Sequence, residues 1–336
     1  MTILSMSIAL LKSELLNYSH RVIDLVLENK KKGSIRKTKR TYIRTEFSRF
    51  VYNRGLIDWT SEKKHFRKEE WSSEDQSKLE EIAKGEPAYQ RIIQLVIELF
   101  PKHKEGADFC LSAFLSEIIR LGLDKEKTEE NELVGITSSF IDDLEGKPNL
   151  WTPKTWLSGI WLDDETVIVS KELSFRRPEP NDIEPEYPLD MSGFYLRTMP
   201  PLLTSAIMET KLQAHYPVEV QKALEKTLIG LRLCKLGSVE YIRYRLNPRS
   251  IIAWSGTFSS GLDTSPAYKY GIGKKHSVPL NRFLSRMLDL IPEDCLLGAI
   301  PKDHISISLT RYNDALLKPE RAEGRITFAV MSLEAL

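Results

Sequence analysis

With 336 residues, the chain is too long for one small module and suits roughly two domains of about 150 residues each. Hydrophobic residues make up 41% and charged residues 28%, which excludes wholesale disorder. Lys plus Arg number 48 against 47 Asp plus Glu, so a net charge of +1 supplies no global attraction to nucleic acid or an anionic membrane, and any such affinity has to be local.

Cys110, Cys234 and Cys295 are odd in number and far apart, without the spacing of a disulfide framework or a zinc site. A reducing, cytoplasmic location is therefore expected, with no metal and no cofactor. The apolar run Ile8–Leu11 gives way to Lys12 and Glu14 with no small-residue cleavage site after it, so no signal peptide is expected. Ile92–Phe100 is broken by Gln94 and Glu98 and falls far short of the roughly 18 residues that span a bilayer.

In chain order, Leu11, Leu15, Leu16, Val22, Ile23, Val26 and Leu27 recur at three- and four-residue spacings, which predicts an amphipathic helix over Leu10–Leu27. Between Asn29 and Arg49, Lys30, Lys31, Lys32, Arg36, Lys37, Lys39, Arg40, Arg44 and Arg49 face only Glu46, a local charge of +8, with Tyr42, Phe47 and Phe50 interleaved. Single-stranded RNA binding requires cations for phosphates and aromatic faces for stacking, so Arg36, Lys37, Lys39, Arg40 and Arg44 are the nucleic-acid-binding candidates. A solvated basic loop is the alternative. Helical periodicity returns in Ile92–Phe100, stopping at Pro101, in Phe109–Ile119, stopping near Gly122, and in Leu133–Leu144, stopping near Gly146, so the first 146 residues are expected to be largely helical.

Composition changes at Lys147–Pro153. Trp156–Leu162 and Thr166–Phe175 flank the acidic turn Asp163-Asp164-Glu165 and predict a β-hairpin, with Trp151, Trp156 and Trp161 as core and hairpin packing. Pro178, Pro180, Pro185 and Pro188 mark an extended segment that cannot be a central strand. Its acids Glu179, Asp182, Glu184, Glu186 and Asp190 read as a solvated loop. Leu202–Leu212 and Val218–Leu236 read as helices, the second capped by Gly237, while Val239–Leu246 and Ser250–Trp254 alternate like strands. Gly256, Gly261, Gly271 and Gly273 predict a loop-rich stretch, and Arg282–Leu290 a short helix before Pro292. From Arg321 onward Ile326, Val330 and Leu333 form an apolar stripe on a helix expected to run on to Leu336, so the chain is expected to end inside a helical domain. That stripe is the candidate partner-docking surface.

No catalytic or metal-binding motif completes itself. Gly271-Ile272-Gly273-Lys274-Lys275 has Tyr268 where a phosphate loop needs glycine and Lys275 where it needs Ser or Thr. Gly256–Gly261 has Phe258 where a nucleophile elbow places serine. Asp190 with Glu209-Thr210-Lys211 is similar to a metal-dependent nuclease pattern, but Glu209 and Lys211 fall on an expected helix and read as a solvated face. The histidines do not cluster, and Glu62–His65 lacks the second histidine of a zinc helix.

Near the end, Arg311-Tyr312-Asn313-Asp314-Ala315-Leu316-Leu317, Glu320-Arg321, Arg325-Ile326 and Ser332-Leu333-Glu334-Ala335-Leu336 resemble the opening of an Apea-like HEPN domain, with its R-x-N-x-A-L start, E-R-I step and L-E-A-L helix. Leu231–Val239 resembles the region upstream of that domain. The resemblance implies a helical bundle that dimerises and, in many HEPN proteins, cleaves RNA through an Arg and a His separated by four to six residues. None of His20, His65, His103, His215, His276 and His304 has an Arg five to seven positions before it, so the implied fold begins here without its catalytic pair. Glu334, the one polar residue on the last helix that could border such a site, reads as a surface carboxylate.

The expected fold is α+β and predominantly α-helical: a helical N-terminal domain over 1–146, a mixed middle domain with a β-hairpin over 147–304, and the first helix of a HEPN-type bundle over 305–336. The expected function is that of a HEPN-containing, RNA-associated protein of stress or defence, not itself cleaving RNA. The alternative is a non-enzymatic helical interaction or dimerisation module. Expected partners are RNA and a second copy bound through HEPN helices, with no membrane and no small-molecule cofactor.

Overall fold

A computed structural model describes residues 3–54, 56–125, 128–183, 186–188, 204–235, 237–253, 257–259, 268–296, 298–317, 327 and 329–331. It is mixed α and β, and it forms two compact units: Met1–Thr41 with Arg67–Asn149 and Arg249–Trp254, and Tyr42–Phe66 with Leu150–Pro248 and Ser255–Leu336.

The first unit is built around α1 (Ile3–Lys32). Leu11, Leu15, Tyr18, Val22 and Val26 are fully buried, which places one stripe of this helix inside the core that the spacing predicted. Between α1 and the next helices the chain forms two long strands, β1 (Lys37–Asn53) and β2 (Leu56–Trp71), so the N-terminal half is not helical throughout. Thr, Tyr, Phe, Ile and Val are dense in β1 and suit a pleated ribbon, and its cations Lys37, Lys39 and Arg40 are exposed to water. Residues 37–41 and 67–71 of this hairpin belong to the first unit and residues 42–66 to the second. Then follow α2 (Ser73–Lys84), α3 (Pro87–Leu99), α4 (Ala107–Asp124) and α5 (Glu130–Glu145).

As expected, α4 stops near Gly122, at Asp124, but the glycine is not its cap. It lies inside the helix where a Cβ would come within 3.1 Å of Ile23 Cδ1, and its bare backbone lets α4 approach α1. Gly146 does stop α5: at φ +74° it takes the left-handed cap, with Gly146 N–H returning to Asp143 O and Lys147 N–H to Asp142 O. The described part of Ser250–Trp254 is a turn, not a strand. Asp143 Oδ2 accepts from Ser250 Oγ (2.9 Å), Ile251 N (2.8 Å) and Ile252 N (3.3 Å), and Ile251 and Ile252 pack on the helical core.

The second unit opens with β3 (Asn149–Trp151), β4 (Lys154–Ser158), β5 (Ile160–Leu162), β6 (Thr166–Ile168), β7 (Leu173–Arg176), α6 (Pro180–Ile183) and β8 (Glu186–Pro188). It continues with β9 (Ala206–Thr210), β10 (Leu212–Ala214), α7 (Pro217–Cys234), β11 (Glu240–Arg245), β12 (Thr257–Ser259), β13 (Tyr270–Ile272), α8 (Ser277–Met287) and α9 (His304–Leu317). Six strands form an antiparallel sheet in the order β12-β11-β4-β9-β7-β6, with Trp156, Ile207 and Ile242 buried in contact on it. Leu202–Leu212 is thus not a helix over its described residues. Ala206, Ile207 and Met208 are all buried between β4 and β7, and a strand covered on both faces loses the alternation that would reveal it.

The expected hairpin also pairs differently. Gly159, at φ +80°, breaks Trp156–Leu162 into β4, which joins the six-stranded sheet, and β5, which pairs in parallel with β13. The hairpin is instead β6 with β7. Gly271 is therefore strand, and Gly237 is no helix cap: α7 ends at Cys234, and a Cβ on Gly237 would strike the ring of Tyr270. The short helix begins at Ser277 because Pro279 is tolerated in a first turn. β8 pairs with β1 at a sheet edge, the position its proline permits.

Asp182 is not solvated. Its side chain is 3% exposed and accepts from Arg176 Nη1 (2.6 Å), Arg176 Nη2 (2.9 Å), Lys154 Nζ and Glu179 N (2.8 Å). Its backbone carbonyl accepts from Trp156 Nε1 (3.0 Å), and the guanidinium of Arg243 lies 4.1 Å from the Trp156 ring centroid. One carboxylate thereby ties β4, β7 and α6 together.

Candidate functional site

Of the predicted RNA-binding residues, Arg36, Lys37, Lys39 and Arg40 are exposed at the base of the hairpin. Lys39 pairs with Glu69 across the strands at 3.4 Å, and Lys37 Nζ lies 5.0 Å from the centroid of Trp71. Arg36 Nε donates to Gly33 O (3.4 Å). Arg44 stands opposite Glu186 in the β1–β8 register. Two parts of the sequence expectation change. Tyr42 is 7% exposed and stacked on Phe66 with centroids 5.8 Å apart, so it offers no face to a base. Lys30 is committed elsewhere: its Nζ donates to the carbonyls of Gly122 (3.1 Å), Leu123 (3.1 Å) and Lys125 (2.9 Å), capping the C-terminal end of α4 where the helix dipole favours a cation. The side chains of Phe47 and Phe50 lie outside the described residues, and the half-buried ring of Trp71 already carries Lys30 and Lys37, so what the described residues offer is an ionic surface for phosphates.

Val330 of the docking stripe is 46% exposed on a described helical turn, with Met331 beside it at 38%. Ile326 and Leu333 lie outside the described residues, as do Asp190, Gly256, Gly261 and Glu334.

The structure brings together the two segments that carry the family resemblance. Arg232 on α7 donates through Nη1 to Asn313 Oδ1 on α9 (3.1 Å), Tyr312 OH donates to Arg232 O (3.0 Å), and Ser238 Oγ donates to Leu316 O (2.7 Å). Arg232 Nε also donates to Val239 O (2.7 Å). Beside these contacts lies a cavity of about 240 Å³ whose wall includes Glu225, Arg232, Tyr241, Thr310, Asn313 and Asp314. Burial pulls the Arg232 pKa down to about 10, opposed by Glu240 and Glu225, so the guanidinium keeps its proton at neutral pH. Burial pushes the Glu240 carboxyl up, opposed by Arg232. Sequence reading passed over this arginine, although its position inside the apolar run Leu228-Ile229-Gly230-Leu231 and Leu233 is the mark of a buried cation.

Glu209 lies on the central strand β9 and not on a helix, opposite Lys154 and Ser174, with Arg176 Nε 3.0 Å from its carboxylate. Its cross-strand neighbours thus include no second carboxylate. Among the described residues no group of three His, Cys, Asp or Glu side chains is placed to hold a metal ion, and no helix is long and apolar enough to cross a membrane. Comparison with protein-family models, curated proteins and solved structures finds no match for this chain.

Proposed function

We propose that the chain is an RNA-associated protein of the HEPN-containing kind that holds single-stranded RNA by its phosphates and does not itself cut it. The observation that carries this reading is the exposed row Arg36, Lys37, Lys39 and Arg40 on the base of the hairpin. At about 3.4 Å per residue, Arg36 to Arg40 covers about 14 Å of backbone, a length that two or three nucleotides would follow. With Tyr42 buried against Phe66, affinity rests on counterion release and is indifferent to sequence.

Titration of a fluorescent single-stranded RNA by anisotropy tests it. Three phosphate contacts should give a log–log salt slope of about −2. Replacing Arg36, Lys37, Lys39 and Arg40 together by Gln should flatten that slope and weaken binding about tenfold or more at low salt. An unchanged slope and affinity in that variant would refute the reading. Lys30→Ala supplies the contrast. Losing its three carbonyl contacts should destabilise the first unit by about 1–2 kcal/mol in urea unfolding, while RNA affinity stays at the parent value.

The second reading, a non-enzymatic docking module, is favoured by the exposed Val330 and Met331. Self-association or partner capture that survives high salt and disappears in Val330→Asp would support it.

A further inference from the structure

The helix α8 (Ser277–Met287) is apolar on two sides. Leu280 and Leu284, four residues apart, are buried toward α7, where a Cβ on Gly230 would come within 2.7 Å of Leu284 Cδ2. The outward side carries two neighbouring ridges at four-residue spacing, Val278-Arg282-Arg286 and Pro279-Phe283-Met287. Those six residues line one groove of about 390 Å³, and Val278 has 69% of its surface in water. Pro279 and Phe283 also line a second, smaller apolar cavity of about 220 Å³, together with Tyr270, Ile272 and Leu280. Nothing in this segment balances its charge. Neither the Arg282 nor the Arg286 guanidinium has a partner among the described residues, and residues 274–288 include Lys274 and Lys275 but no Asp or Glu.

This arrangement narrows the occupant. A groove between two such ridges is what a second helix packs into, and side chains four apart stand over one another on one face, so both guanidiniums flank the same groove. The apolar ridge calls for an apolar stripe opposite it, and the unpaired cations beside it call for carboxylates. We propose that the outward face of α8 docks an acidic amphipathic helix of a partner protein. Its apolar stripe covers Phe283 and Met287, one large side chain enters the smaller cavity, and Asp or Glu on its flank pairs with Arg282 and Arg286. An anionic bilayer is the poorer fit, because a helix of 11 residues with two leucines committed to α7 leaves little apolar area to insert. RNA is poorer still, since phosphates would leave Val278 and Phe283 uncovered. The face is separate in sequence from the cationic hairpin and from Val330, so each assignment can fail without the others.

Two fluorescein-labelled helical peptides of about 18 residues test it, sharing a leucine stripe at three- and four-residue spacing and carrying either Glu or Lys on its flanks. By anisotropy with the full chain at low salt, the Glu peptide should bind about tenfold or more tightly than the Lys peptide. That preference should shrink as salt rises while the apolar part of the binding persists. Arg282→Gln combined with Arg286→Gln should weaken the Glu peptide about fivefold, and Val278→Asp should weaken it about tenfold. All three side chains are exposed, and a melting curve like the parent's checks folding. Equal binding of the two peptides, no binding of either, or an unchanged Glu-peptide affinity in both folded variants would overturn the proposal. So would vesicles of phosphatidylserine and phosphatidylcholine that pellet the parent but not the double arginine variant, which would assign the face to lipid. A shallower RNA salt slope in that variant would overturn it as well, by assigning the two arginines to the RNA surface.

Discussion

Asp182→Ala is expected to destabilise the second unit by about 3 kcal/mol, because removing one partner of a buried ion pair strands the others. The lower end of the usual range applies. Arg176 retains Glu209, and the Lys154 side chain is 28% exposed, so neither cation is left wholly uncompensated. The carbonyl of residue 182 still accepts from Trp156, which keeps α6 attached to β4. Asp182→Asn preserves the shape and an acceptor for Glu179 N–H, so about 2 kcal/mol is expected for the loss of charge alone. The pH dependence follows from the same contacts. Burial by itself would raise the Asp182 pKa, but hydrogen bonds from Arg176, Lys154 and Glu179 outweigh it and hold the carboxyl below its ordinary value. A carboxylate with a depressed folded pKa contributes stability above its unfolded pKa, about 3.9, and loses it as pH falls through the folded value. The gap between parent and Asp182→Asn should thus be constant above about pH 5 and close under stronger acid. Urea unfolding followed by tryptophan fluorescence at several pH values measures it. A gap that stays constant down to about pH 2 would show that the ion cluster does not supply the stability.

The helices with one buried stripe were legible because a period near 3.6 survives in sequence when one side stays polar: α1, α3, α4 and α5 sit where Leu, Ile, Val and Phe spacing put them. The strands were hidden for opposite reasons. β9 is apolar at three consecutive positions because neighbours cover it, and that run looks like a helix. β1 and β2 carry so much charge that they look like a loop, yet the pairing of one with the other satisfies their backbones without a wide core. Asp182 looked solvated because its partners, Arg176 and Lys154, lie outside the proline-rich segment, six and 28 positions away. The candidate site divides likewise. A cationic row is local and visible in sequence, whereas the cavity at Arg232 needs Asn313, 81 positions on, to exist at all.

Gly159→Ala is the substitution expected to cost as much as any in the second unit. At φ +80° an alanine pays about 1 kcal/mol for left-handed backbone. Its Cβ would also overlap the carbonyl oxygen of Ser238 and come within 2.6 Å of the carbonyl carbon and 3.0 Å of Val239 Cα. These are backbone atoms, so relief requires moving a chain segment and not a side-chain tip, which adds about 2 kcal/mol or more. Gly33→Ala separates the two contributions. It has φ +68° and nothing within 4 Å of the added methyl, so it should cost the first unit about 1 kcal/mol only. Equal losses for the two variants, read as urea midpoints, would show that the contact at Ser238 yields freely. The expected displacement has a second consequence. Val239 O holds Nε of Arg232 and Ser238 Oγ holds Leu316 O, so a shift at 238–239 loosens α7 from α9 and opens the cavity between them. A kink that carries no functional group thus fixes the position of the guanidinium.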